Sequence, residues 1–121
     1  MRLVIRVEVA LATLTIAANQ RPSYLRLSRA GEPCLHTTDP ADIERPTFLQ
    51  HGAGAVVLAS GPIVAACLDA AHLLKRDGYD VTAVSVACLK PLDEDFLLDL
   101  VGKFRVLLTV EEHIRRGGLY S

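Results

Sequence analysis

The sequence predicts an α/β protein, a mostly parallel sheet covered by helices on both faces, and three observations carry that prediction. Short runs of Val, Leu and Ala alternate with longer segments of helical period in the second half of the chain. Glycines and prolines fall between these runs, where strand-to-helix connections are expected. Half of the residues are hydrophobic, but only 5% are aromatic, so the core is aliphatic, the palette of strands buried on both faces. At 121 residues the chain is long enough for one ordinary domain and too short for two.

From the N-terminus, Val9, Leu11, Ala12, Leu14, Ile16 and Ala17 are apolar on nearly every side of a helical wheel, which predicts a buried helix from about Val7 to Asn19, ending before Pro22. Ser23 to Leu27 alternates polar and apolar residues and suits one short strand. Between Arg29 and Pro46 the chain carries Gly31, Pro33, Pro40 and Pro46 with scattered charge and no period, the composition of a linker. Thr47 to Gly52 is expected to supply an edge strand.

The pattern then becomes regular. Ala55 to Ser60 reads as a buried strand, and Gly61-Pro62 turns the chain, with Pro62 fitting the first helical position. Val64, Cys67, Leu68, Ala71 and Leu74 form one apolar stripe, and Gly78 stands where a left-handed C-terminal cap is expected. Val81 to Ala87 is the second strand of this block. Asp93 to Val101 is the next helix, with Asp93 as its N-cap and Gly102 as its stop. Val106 to Val110 is the last strand. A β-α-β-α-β order of this spacing implies right-handed crossovers and a three-layer α/β/α, Rossmann-like arrangement. All strand C-termini then lie along one edge, carrying Ser60 and Gly61, Cys88 to Lys90, and Glu111 to His113, where open α/β sheets bind ligands.

Charge and cysteines exclude several function classes. Thirteen basic and fourteen acidic side chains give no electrostatic footprint for nucleic acid or an anionic membrane. Cys34, Cys67 and Cys88 have neither metal-type nor redox-type spacing, so they are expected to be reduced and the protein cytoplasmic. Val9 to Ala18 has the look of a signal peptide, but Arg6 and Glu8 interrupt its front.

Five groups invite a chemical reading. His51-Gly52-Ala53-Gly54 precedes its strand, whereas a dinucleotide loop must follow one, so a turn is expected. Ser60-Gly61-Pro62 could offer N–H groups to an anion, but reads better as a tight strand-to-helix turn. Glu111-Glu112-His113 combines two carboxylates with an imidazole. Consecutive side chains diverge, so an interface or loop-fixing role is expected over catalysis or metal binding. His72 lies beside an apolar stripe as a boundary residue. Arg29, after the strand-like Ser23 to Leu27, is a suitable clamp for phosphate or carboxylate, but an arginine taken alone at such a place is more often a surface residue.

Three pieces together resemble the C-terminal domain of the transketolase family of thiamine diphosphate enzymes: the strand, glycine and helix around Ser60-Gly61, then Leu89-Lys90-Pro91-Leu92-Asp93, then Val110-Glu111-Glu112-His113 with Gly117-Gly118. Arg21 to Arg29 is similar to the last strand of that family's pyrimidine-binding domain. The resemblance implies residues 1–29 as the end of a pyrimidine-binding-type domain, 30–46 as linker, and 47–121 as a C-terminal-type domain, truncated. It further implies ketol transfer between sugar phosphates in carbohydrate metabolism, and a dimer or hetero-oligomer. Thiamine diphosphate and a divalent metal belong to the complete enzyme, and none is expected on this chain alone.

By the same resemblance Arg29 falls where the family grips the sugar phosphate, and it is the only substrate contact carried over, with no catalytic residue. The family continues after Gly-Gly with Leu-Gly-Ser, a helix and a last strand; here Tyr120 replaces the glycine and the sequence stops at Ser121. The expectation is therefore a fragment or subunit needing a thiamine-binding partner or upstream domains. Alternatives are a non-catalytic oligomerisation or regulatory module, or the equivalent part of deoxyxylulose-phosphate synthase or of a 2-oxo acid dehydrogenase β subunit. Leu27-Ser28-Arg29 favours transketolase among these.

Overall fold

The computed structural model describes residues 3–27, 42–112 and 114–121, with side chains from Glu8 onward in the first segment. The chain divides into two units, Met1–Ile43 and Glu44–Ser121. In the first, helix α1 runs from Leu3 to Asn19 and ends where Gln20 takes a positive φ of 51°, ahead of Pro22. Two expectations are corrected here. The helix begins earlier than Val7, and it is not buried, since Leu14 is largely exposed and no described side chain on it is fully covered. A helix that is apolar all round needs neighbours on every side to bury it. Ser23 to Leu27 is not a strand: the residues are exposed and lie in no ladder. Alternation alone cannot hold a strand that has no partner for its backbone groups.

The second unit is built on a four-stranded sheet of order β1-β3-β2-β4. Its strands are β1 (Thr47–Gln50), β2 (Ala55–Ala59), β3 (Val81–Ser85) and β4 (Val106–Val110), and its helices are α2 (Val64–Arg76) and α3 (Glu94–Lys103). β2 pairs in parallel with β3 and with β4, residue for residue over five positions. β1 runs antiparallel to β3 at the opposite edge, with a register shift between Phe48 and Gln50. The mostly parallel sheet and the edge strand are therefore as expected.

Helix boundaries carry two more corrections. Pro62 lies in the turn before α2, whose N-cap is Ile63. Gly102 does not stop α3, which continues to Lys103 and ends at Phe104 in extended geometry. A single glycine weakens a helix by only about 1 kcal/mol, less than the packing of Leu100 and Phe104 on either side of it holds in place. Asp93 caps α3 as expected, its carboxylate accepting from the Phe96 N–H at 3.0 Å. Gly78 has the left-handed φ of 92° expected after α2.

The helices lie on opposite faces. On one, Val56 and Leu58 of β2, Val84 of β3 and the following Val86 meet Leu100 of α3, with Phe96, Leu97, Phe104 and Leu107 packed around them. On the other, α2 covers β1, β2 and β3 through Val64, Leu68 and Ala71. Val106 and Leu108 of β4 stay 48% and 50% exposed. Gln50 ties β1 to the rest: its buried Nε2 donates to the Ala71 carbonyl at 3.2 Å and to the Val81 carbonyl at 2.7 Å, while its Oε1 has no hydrogen-bond partner.

Candidate functional site

The C-terminal edge of the sheet brings together the segments expected there. The Ser60 N–H, just past β2, donates to the Val110 carbonyl at 3.3 Å, and the Val64 N–H closes a turn onto the Gly61 carbonyl at 3.2 Å. Gly61 takes φ +81°, which only glycine adopts without strain. Ser60-Gly61-Pro62 is thus a tight strand-to-helix turn. After β3, the Cys88 thiol donates to the Pro91 carbonyl at 3.4 Å, and the Lys90–Pro91 peptide is cis.

At the end of β4 the chain doubles back. Gly117, at φ +81°, turns it so that Leu119 reaches the core on the α3 side, where it is 8% exposed beside Leu58 and Leu100. The Glu111 carboxylate holds this turn. One oxygen accepts from the Leu119 N–H at 2.7 Å and the other from the Tyr120 N–H at 3.4 Å. The part-buried Leu119 amide receives a charged acceptor, the stronger form of such a bond. Gly118 lies so close that a Cβ there would run into the same carboxylate. Arg115 closes the outer side, its guanidinium 4.4 Å over the Tyr120 ring. Between α3, β4 and this turn lies an apolar cavity of about 290 Å³, lined by Leu58, Leu97, Val101, Leu107, Thr109, Leu119 and Tyr120.

The remaining sequence candidates fall apart spatially. Glu112 is exposed, and His113 and Arg29 lie outside the described residues. His72 is exposed on α2. His51-Gly52-Ala53-Gly54 sits at the opposite, N-terminal edge, pinned to the start of β3. The Thr82 hydroxyl accepts from the Gly52 N–H at 2.8 Å and donates to the Gly52 carbonyl at 2.7 Å, Ala53 N–H bonds the Asp80 carboxylate at 2.8 Å, and Gly54 N–H bonds the Asp80 carbonyl at 2.8 Å. Every one of those amides is engaged by the protein, so none is left to cradle a phosphate. Leu119, Thr82 and Asp80 were not singled out by sequence. Only the spacing of Glu111 from Gly117-Gly118 hinted at the first.

Chemically the assembly is a structural device. Among the described residues no three His, Cys, Asp or Glu side chains gather to hold a metal ion, and the best-placed carboxylate, Glu111, already accepts from backbone. Burial pushes the Cys67 thiol on α2 above its ordinary range, the reverse of what activates a nucleophile. No helix among the described residues is long and apolar enough to cross a membrane.

Residues 47–121 match the family described as transketolase, C-terminal domain. Among sequence relatives, 1-deoxy-D-xylulose-5-phosphate synthase 2 of Geobacter sulfurreducens is 37% identical over 99 residues, covering 81% of this chain and 16% of that protein. The 1-deoxy-D-xylulose-5-phosphate synthase of Dictyoglomus thermophilum is 38% identical over 80 residues, 66% of this chain and 13% of that one. Synthase 1 of Kitasatospora griseola is 45% identical over 64 residues, 53% of this chain and 10% of that one. Among solved structures, a split-gene transketolase described as an inactive β4 tetramer superposes with a TM-score of 0.81 at 31% identity, over 90% of this chain and 36% of that chain. The chain thus spans less than a fifth of the length of these sequence relatives.

Proposed function

Since this chain belongs to the transketolase C-terminal domain family, we propose that it is the C-terminal part of a thiamine diphosphate-dependent transferase, inactive by itself and completed by polypeptide that carries the cofactor site. The observation that carries this reading is the Glu111 assembly. It brings Glu111 against Gly118 and onto the N–H groups of Leu119 and Tyr120, where it holds a turn. Thiamine diphosphate and its metal supply the carbanion chemistry in the complete enzyme; this chain supplies a packed α/β platform.

Arg29 is its proposed substrate contact, a guanidinium fork for the sugar phosphate. Deoxyxylulose-phosphate synthesis is the reaction we favour, because sequence relatives of that name align over most of the chain. Ketol transfer of the transketolase type is the second reading, favoured by the structural neighbour. We place the protein in the cytoplasm, in keeping with the free thiol of Cys67.

The test is reconstitution. The chain is purified alone and together with a polypeptide bearing the thiamine site, and both 1-deoxy-D-xylulose 5-phosphate formation and sugar-phosphate ketol transfer are assayed. Activity is expected only in the mixture, with Arg29→Ala raising the KM for the phosphorylated substrate. Tight thiamine diphosphate binding by the chain alone in calorimetry, or complex formation without either activity, defeats the proposal.

A further inference from the structure

We draw no further inference here: the strongest candidate, the apolar patch that Ala66, Ala70 and Leu73 expose along one side of α2, is an unpartnered helix face and nothing in the structure shows what covers it.

Discussion

The Glu111 carboxylate and the Leu119 N–H, eight residues apart, are joined by a 2.7 Å hydrogen bond that closes the turn after β4. That bond lets an apolar side chain enter the core directly from a glycine-rich loop, because the amide it carries inward arrives with an acceptor. The carboxylate and the glycines form a single unit, and that unit can be dissected.

Glu111→Ala should destabilise the second unit by about 1.5–3 kcal/mol, the range for a hydrogen bond to a charged group. Gly118→Ala should also destabilise, since its Cβ meets the carboxylate. In the Glu111→Ala background the cost of Gly118→Ala should largely disappear. Urea denaturation of the four proteins of this cycle measures the coupling, and additive effects would show that the two residues act separately.

Gly52→Ala should be the most damaging of the glycine substitutions. A Cβ there falls 2.7 Å from the Asp80 carbonyl carbon and 2.8 Å from that of Val81, both backbone atoms that cannot swing away. Gly61→Ala meets nothing within 4 Å and suffers only from its positive φ, a cost of about 1 kcal/mol. Thermal melts that rank the two in the opposite order would contradict the close approach of the loop to β3.

Asp93→Ala removes the side-chain cap of α3 and should cost about 1 kcal/mol, whereas Asp93→Asn should be nearly neutral. Amide exchange offers a local readout. The Phe96 N–H should lose protection in the alanine variant and keep it in the asparagine one.

The Cys67 thiol, pushed up by burial, should react with iodoacetamide more slowly than a free cysteine at neutral pH. The linkage has a definite sign. A folded-state pKa above the unfolded one gives stability that is fully present below the unfolded pKa and is lost as pH rises through the folded pKa. Cys67→Ala should therefore flatten the alkaline limb of the stability profile.

Much of the second unit was legible because local chemistry and global packing agree there. Asp93 caps where a capping residue was expected, Gly78 turns left-handed where a helix had to end, and three aliphatic runs became three parallel strands. The failures share a different cause. Ser23 to Leu27 has a strand's alternation but no partner to bond. Gly102 looks like a stop, but packing on either side carries the helix through it. The acceptor role of Glu111 was foreseen only as loop fixing, since its partners are backbone amides that side-chain patterns do not display. Arg29, the one substrate contact expected, lies outside the described residues, and its role rests on resemblance.

Gln50 carries a consequence for how the protein can vary. Its side chain must reach two carbonyls, on α2 and β3, with an uncharged double donor while remaining buried. A glutamine codon mutated at one base yields lysine, glutamate, histidine, leucine, proline, arginine or a stop. None of these keeps a neutral amide of that length. The position is an evolutionary dead end for single-base drift, and natural variants of this chain should be nearly silent at residue 50 while the neighbouring strand residues change.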